Sequence, residues 1–194
     1  MTINELHIQL DLQPENKINV LENIAKRCDE GYLFVDLNDG HCYLFDEDGN
    51  EDDVKKLKKI KTNMFYDSNI ESIVIPDSVE NIRGYAFACC RSLKSIEIPD
   101  SVNRIGNDIF WKCESLKSVI IPDSVESIGN STFYRCKSLE SIVIPDSVKW
   151  IGYRAFEYCE NLKSLIFKGK TIDQVKAMEN YPFGIKDESI IRCI

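Results

Sequence analysis

The residues best suited to chemistry are few and scattered along this 194-residue chain. His7 and His41 are the only histidines. His41 and Cys42 adjoin on an expected strand, so they point to opposite faces and cannot form a thiolate–imidazole pair with each other. His7 could meet Cys28 or Cys42 only through the tertiary fold. Gly169-Lys170-Thr171 echoes the end of a phosphate-binding loop, but Ser164 stands where that motif needs its first glycine. Asp46 through Asp53 is rich in carboxylates, as a calcium loop would be. Its glycine, however, falls at the fourth position rather than the sixth, and Leu57 stands in place of the bidentate glutamate. An acidic hairpin exit preceding a helix N-terminus accounts for it better. There is no H-E-x-x-H and no glycine-rich nucleotide loop. Asn130-Ser131-Thr132 is a glycosylation sequon, which would matter only in a secreted eukaryotic protein. The expectation is therefore no catalytic residue, no metal site and no cofactor.

Charge narrows the partners. The net charge is −8, and residues 1–69 hold most of it, with 15 acidic against 8 basic side chains. A phosphate backbone needs a basic surface to displace its counterions, so nucleic acid is not expected as a partner. No apolar run approaches the roughly 20 residues that span a bilayer, and membrane insertion is not expected. The first residues show no basic stretch followed by an apolar one, which favours an intracellular location.

The elements that would position any site come from an internal repeat. Leu93-Lys-Ser-Ile-Glu-Ile-Pro-Asp-Ser-Val102 returns as Leu116-Lys-Ser-Val-Ile-Ile-Pro-Asp-Ser-Val125 and as Leu139-Glu-Ser-Ile-Val-Ile-Pro-Asp-Ser-Val148. Ile70 through Val79 is an earlier copy, and Leu162 to Phe167 is a last one, cut short. The consensus is L-x-S-I-x-I-P-D-S-V-x-x-I-G-x-x-x-F-x-x-C-x-S. Ile96 and Ile98 alternate as a short strand with both side chains inward, while Ser95 and Glu97 point out. Pro99 lacks an N–H and ends the strand at a corner. Asp100-Ser101 supplies turn chemistry, Val102 and Ile105 a second inward pair, and Gly106 a bend. Phe110 and Cys113 would fill the convex side from a short helical or 3₁₀ turn. No copy can bury this stripe alone, whereas stacked coils bury it on one another. The array expected is a right-handed parallel solenoid of α/β class.

Cys90, Cys113, Cys136 and Cys159 recur at a spacing of 23, one per copy, while Cys28, Cys42, Cys89 and Cys193 are scattered. Coils stack about 4.8 Å apart, which would admit disulfides. A stripe of small buried thiols fits a core equally well, and we read them as reduced.

Coil after coil, these residues resemble the BspA-type leucine-rich repeat, with its pattern IP-x-S-V-x-x-IG-x-x-A-F-x-x-C, over residues 54–167. Arg83 replaces the glycine of the first copy, and Ile109 and Thr132 replace the usual alanine before phenylalanine. The resemblance implies a curved solenoid used for adhesion or protein recognition, often on bacterial or protist surfaces. Residues 1–53 read as a small β-α-β-β cap or domain: a strand over 5–12, a helix over 14–28, and strands over 31–37 and 41–45 joined by Asn38-Asp39-Gly40. Residues 54–69 read as a degenerate half-repeat. Residues 168–194 read as a C-terminal cap, with a helix opened by the capping box Thr171-Ile-Asp-Gln174 and running to about Asn180, then a final strand.

Two surfaces are candidates for binding. Val74, Glu97, Ile120, Val143 and Ile166 form an outward column beside a column of serines, either a contact surface or plain β-propensity. Tyr85, Trp111, Tyr134, Trp150, Tyr153 and Tyr158 are aromatics at non-consensus positions, either an interface or packing between coils. The function read from this is a non-catalytic protein-interaction or adhesion module with a protein partner. The alternatives are a self-associating homo-oligomeric subunit and a glycan-binding adhesin.

Overall fold

The computed structural model describes residues 32–35, 42–45, 51–52, 59–75 and 77–194. The strand expected over 5–12 and the helix over 14–28 lie outside the described residues. In the N-terminal part β1 (Tyr32–Val35) and β2 (Cys42–Phe45) pair antiparallel, with Val35 opposite Cys42. A third strand, β3 (Glu51–Asp52), pairs antiparallel with β2, so the acidic stretch ends in a sheet edge.

From residue 59 the chain is a parallel solenoid, built as the repeat requires. One ladder of short strands comprises β4 (Lys59–Ile60), β5 (Asn81–Ile82), β7 (Arg104–Ile105), β9 (Ser127–Ile128) and β11 (Trp150–Ile151), paired in the order β11-β9-β7-β5-β4. Their isoleucines Ile60, Ile82, Ile105, Ile128 and Ile151 stack inward and are buried. The second ladder carries the alternating segment: β6 (Ser95–Glu97), β8 (Ser118–Ile120), β10 (Ser141–Ile144) and β12 (Ser164–Phe167). It is not continuous. β6 pairs with β8, and β10 pairs with β12, but no strand pairing joins β8 to β10. Ser72 to Ile75, expected to be the first strand of this ladder, keeps the burial alternation but forms no strand. The backbone link from there to the next coil is the Lys94 N–H donating to the Glu71 carbonyl at 2.9 Å.

The convex side differs from expectation. It is not helical or 3₁₀ but a run of consecutive turns with two left-handed residues per coil. One series is Asn63, Tyr85, Asp108, Ser131 and Arg154, and the other is Asp67, Cys89, Lys112, Arg135 and Tyr158, all near φ +60°. Left-handed residues end helical hydrogen bonding and turn alternate N–H groups outward along the solenoid axis. Phe87 donates to the Ile109 carbonyl at 3.0 Å, Phe110 to Thr132 at 2.9 Å, and Phe133 to Ala155 at 2.8 Å. The convex side is thus bonded coil to coil, as the strands are.

Inside, Phe65, Phe87, Phe110, Phe133 and Phe156 form one stack, with neighbouring centroids 5.0, 5.7, 5.5 and 5.3 Å apart. Beside it runs the thiol column. Each Sγ donates to the carbonyl of the phenylalanine one coil back: Cys90 to Phe65 at 2.9 Å, Cys113 to Phe87 at 3.0 Å, Cys136 to Phe110 at 3.2 Å and Cys159 to Phe133 at 3.1 Å. Cys89, Cys90, Cys113, Cys136, Cys159 and Cys193 are free thiols.

Two other repeat positions act differently from their sequence reading. The consensus serine does not serve its own turn; Ser101, Ser124 and Ser147 donate to the carbonyls of Val79, Val102 and Val125, one coil back. The consensus glycine is not needed for a bend. At Gly129 and Gly152 a Cβ would sit 2.4 Å from backbone of the preceding coil, whereas at Gly106 the nearest atom is 3.4 Å away. Arg83 stands at this position one coil earlier.

At the C-terminal end Thr171 makes both halves of its capping box with Gln174. Helix α1 (Ile172–Lys176) is shorter than expected, ending with Ala177 as its C-cap. The chain then regains the solenoid: the Phe183 carbonyl accepts from Phe156 N–H at 3.0 Å, and β13 (Ile191–Cys193) pairs parallel with β12. Thus α1 is the only α-helix among the described residues, and the parallel ladders dominate.

Candidate functional site

The strand face carries the outward column, but the interruption in the ladder divides it. Glu97 lies beside Ile120 in register, and Val143 beside Ile166, which in turn neighbours Arg192. Val143 and Ile166 are half-buried, whereas Val74 is 45% and Ile120 56% exposed. On the more exposed side lies a groove of about 710 Å³. Its floor includes Val74, Glu97 and Ile120, and its wall is made at the corners of three coils by Asp77, Pro99, Asp100, Pro122 and Asp123, with the three aspartates in line. Among the described residues four carboxylates line the groove and no basic side chain does. Sequence reading assigned these aspartates to turn chemistry alone. The signal was present, since an aspartate recurs at each corner and each is followed one coil on by another.

The six aromatics do not form one surface. Trp111, Tyr134 and Tyr158 do gather: Trp111 stacks on Tyr134 with centroids 6.3 Å apart, and Tyr158 meets Tyr134 edge-on at 5.3 Å. Their ring faces are already used by cations, with Lys112 Nζ 4.0 Å above Trp111 and Arg135 5.7 Å and 5.4 Å from Tyr134 and Tyr158. A sugar would need those faces for stacking. Trp150 belongs to β11, in the other ladder, and Tyr153 carries Arg154 at 4.9 Å. Tyr85 is tied to Asp108 one coil on. The carboxylate charge of Asp108 raises the Tyr85 phenol, and burial raises the Asp108 carboxyl. Between Tyr158 and the C-terminal turn is a second groove of about 530 Å³, lined also by Glu160, Lys186 and Asp187.

The remaining chemical candidates have structural roles. Lys170 pairs with Asp146 at 2.9 Å and Thr171 caps α1, so Gly169-Lys170-Thr171 makes a corner rather than a phosphate cradle. Asn130 of the sequon accepts the Tyr153 N–H at 2.7 Å through Oδ1, and Asn107 does the same for Asn130 at 2.9 Å. Thr132, the buried residue in place of alanine, bridges the Gly106 and Gly129 carbonyls at 2.9 and 2.8 Å. Burial pushes the thiols of Cys90 and Cys159 up to about 12 and those of Cys113 and Cys136 well above their ordinary value, the reverse of what a nucleophile needs. His7 and His41 lie outside the described residues. Among the described residues no three of His, Cys, Asp and Glu gather as metal ligands would, and no helix is long and apolar enough to cross a membrane.

Coils with this spacing, this phenylalanine stack and this thiol column match a known repeat. The family model described as "BspA type Leucine rich repeat region" matches residues 58–184 in 6 copies. The chain belongs to the BspA-type leucine-rich repeat family. The match reaches past the recognisable consensus at Phe167 and includes α1 and its turn, in keeping with the way residues 168–184 rejoin the ladders. Among solved structures, this BspA-type chain is similar to the T. pallidum leucine-rich repeat protein, at 28% identity over 72% of this chain and 69% of that one, with a TM-score of 0.57. It is also similar to a leucine-rich cell surface protein from Faecalibacterium prausnitzii A2-165, at 28% identity and TM-score 0.62, covering 79% of this chain and 41% of that one. It therefore spans less than half the length of that protein. The pneumococcal vaccine antigen PcpA shares the fold at 21% identity and TM-score 0.53, over 78% of this chain and 32% of its own. No curated protein matches the chain.

Proposed function

We propose that this BspA-type chain is a non-catalytic recognition module that takes a protein partner on its strand face, in the groove floored by Val74, Glu97 and Ile120. The observation that carries this is Ile120, a large aliphatic side chain 56% exposed in a groove of about 710 Å³. An isolated exposed aliphatic is ordinary, but one that lines a groove with a second exposed aliphatic, Val74, two coils back is the arrangement that partners use. The similarity to a protein described as a leucine-rich cell surface protein supports an adhesion setting for such binding. Displayed random peptides selected on the wild-type chain should lose binding to Ile120→Lys. Peptides that bind both proteins equally would overturn the assignment to this groove.

Self-association uses the same column and is separated by mass. In size-exclusion chromatography with light scattering, a wild-type monomer leaves the face free for a foreign partner. A wild-type oligomer that Ile120→Lys/Val143→Lys dissolves would replace the first reading with an assembly role.

A further inference from the structure

On most of this solenoid, carboxylates are matched by bases one coil away. Asp67 pairs with Arg91 at 3.5 Å, Glu114 with Lys137 at 3.4 Å, Glu126 with Lys149 at 3.6 Å and Glu140 with Lys163 at 3.6 Å, and Glu71 pairs with Lys94. The Pro-Asp-Ser corner is different. Asp77, Asp100 and Asp123 occupy the same position in successive coils, and none makes an ion pair with a described residue. The column acquires a base only at its end, where Lys170 reaches Asp146. The cause lies in the repeat itself, because the residue that follows each aspartate one coil on is another aspartate. Stacked coils lie about 4.8 Å apart, so three like charges follow one another along this wall with no described base between them.

We propose that the groove binds an extended basic peptide segment, with lysine or arginine side chains against Asp77, Asp100 and Asp123 and an aliphatic side chain over Ile120. This rests on the binding reading above and names its partner. The groove, not the acidic column alone, carries the assignment: two exposed aliphatic side chains, Val74 and Ile120, lie beside a wall of carboxylates with no described base, so one ligand can satisfy both. Glu97, on the floor between Val74 and Ile120, adds a fourth carboxylate within reach of the same ligand. A nucleic acid or an acidic peptide would meet only like charge. A cavity of about 710 Å³ admits a short segment rather than the face of a folded domain. An extended segment laid across the coils meets the three aspartates in turn.

The test uses the full chain and two labelled peptides, one alternating lysine and valine and the other glutamate and valine, with binding read by fluorescence anisotropy. The lysine peptide should bind and the glutamate peptide should not. Asp100→Asn/Asp123→Asn should weaken the lysine peptide by about two- to tenfold at low salt. The difference should close near 1 M salt, where screening reaches about 3 Å. Both aspartates are exposed, so the double variant should keep the wild-type circular dichroism and melting temperature, which separates lost contacts from lost fold. The charges of the selected peptides described above separate the two claims. Enrichment in lysine and arginine supports the basic ligand. Neutral or acidic peptides that still require Ile120 would overturn the basic ligand and leave the groove as a binding site. An absence of any Ile120-dependent peptide would overturn both, as would equal binding of the two synthetic probes to wild type and Ile120→Lys.

Discussion

The consensus glycine offers the sharpest check on how these coils are spaced, because the repeat places it at equivalent positions whose surroundings differ. Consider Gly129→Ala. The new Cβ would lie 2.4 Å from the Gly106 carbonyl carbon, 2.5 Å from the Asn107 nitrogen and 2.5 Å from the Gly106 oxygen. All three are backbone atoms, so no side-chain rotation relieves the overlap; the coils must separate. Overpacking of that kind costs about 1–3 kcal/mol. Separation also stretches the Gly129 N–H bond to the Ile105 carbonyl, now 2.8 Å, and the Asn130 N–H bond to Asn107 Oδ1, now 2.9 Å, each worth about 0.5–1.5 kcal/mol. The expected loss is about 2–6 kcal/mol, a large part of the roughly 5–15 kcal/mol that holds a domain folded. Gly106→Ala is the internal control. Its Cβ would rest 3.4 Å from the Ile82 oxygen and 3.6 Å from Ile109 Cδ1, which is ordinary contact, and φ there is not left-handed. It should be neutral or stabilising by about 0.4–1 kcal/mol, through a less flexible unfolded chain. Urea unfolding followed by far-UV circular dichroism reads both as midpoints. If Gly129→Ala matched or exceeded Gly106→Ala in stability, the close approach of coils at Gly129 would be wrong, and with it the physical account of the consensus glycine.

The remaining predictions concern the core. Thr132→Val keeps shape but removes the hydroxyl that bridges the Gly106 and Gly129 carbonyls, and should cost about 1–3 kcal/mol in the same urea assay; an unchanged midpoint would refute a structural role for that hydroxyl. The native state holds protons on its core thiols more tightly than the unfolded chain does. Stability linked to Cys90 and Cys159 is therefore complete below their ordinary value of 9.0 and is lost as pH rises toward about 12. Within that window each thiol should contribute a slope of about 1.4 kcal/mol per pH unit. Melting temperatures taken from about pH 8 upward should fall less steeply for Cys90→Ala/Cys159→Ala than for wild type, and parallel curves would count against the linkage.

Much of this fold is legible in the residues because the solenoid is periodic. Alternation of Ile96 and Ile98, repeated every coil, specifies which side chains go inward, and period alone places Phe110 against Phe133 and Cys113 beside Cys136. The capping box at Thr171 is equally local, and it is formed as written. Features read from one coil in isolation fared less well. A phenylalanine and a cysteine three residues apart suggest a helical turn, yet the pair of left-handed residues in each coil makes a turn ladder, because its N–H groups are satisfied by the next coil rather than by their own. Ser101 suggests turn chemistry for the same reason, while its partner lies one coil back. The length of α1 was overread because the chain beyond Lys176 returns to the ladders.

The candidate site divides along the same line. The outward positions of Val74, Glu97, Ile120, Val143 and Ile166 follow from the strand period, and so does the recurrence of aspartate at each corner. What the sequence by itself determined is the set of equivalent positions, since a side chain's neighbours one coil away are copies of itself. Only the stacking of coils decided which of those positions work together. The strand ladder is interrupted between β8 and β10, and Ile120 is more open than Val143. Stacking likewise gathers Trp111, Tyr134 and Tyr158 while leaving Trp150 on another side. It also brings Lys170 to Asp146 but no described base to Asp77, Asp100 or Asp123. A repeat encodes its own neighbours, but the distance and rotation between successive coils arise from the whole stack of inward side chains, and that packing exists only once the chain has folded.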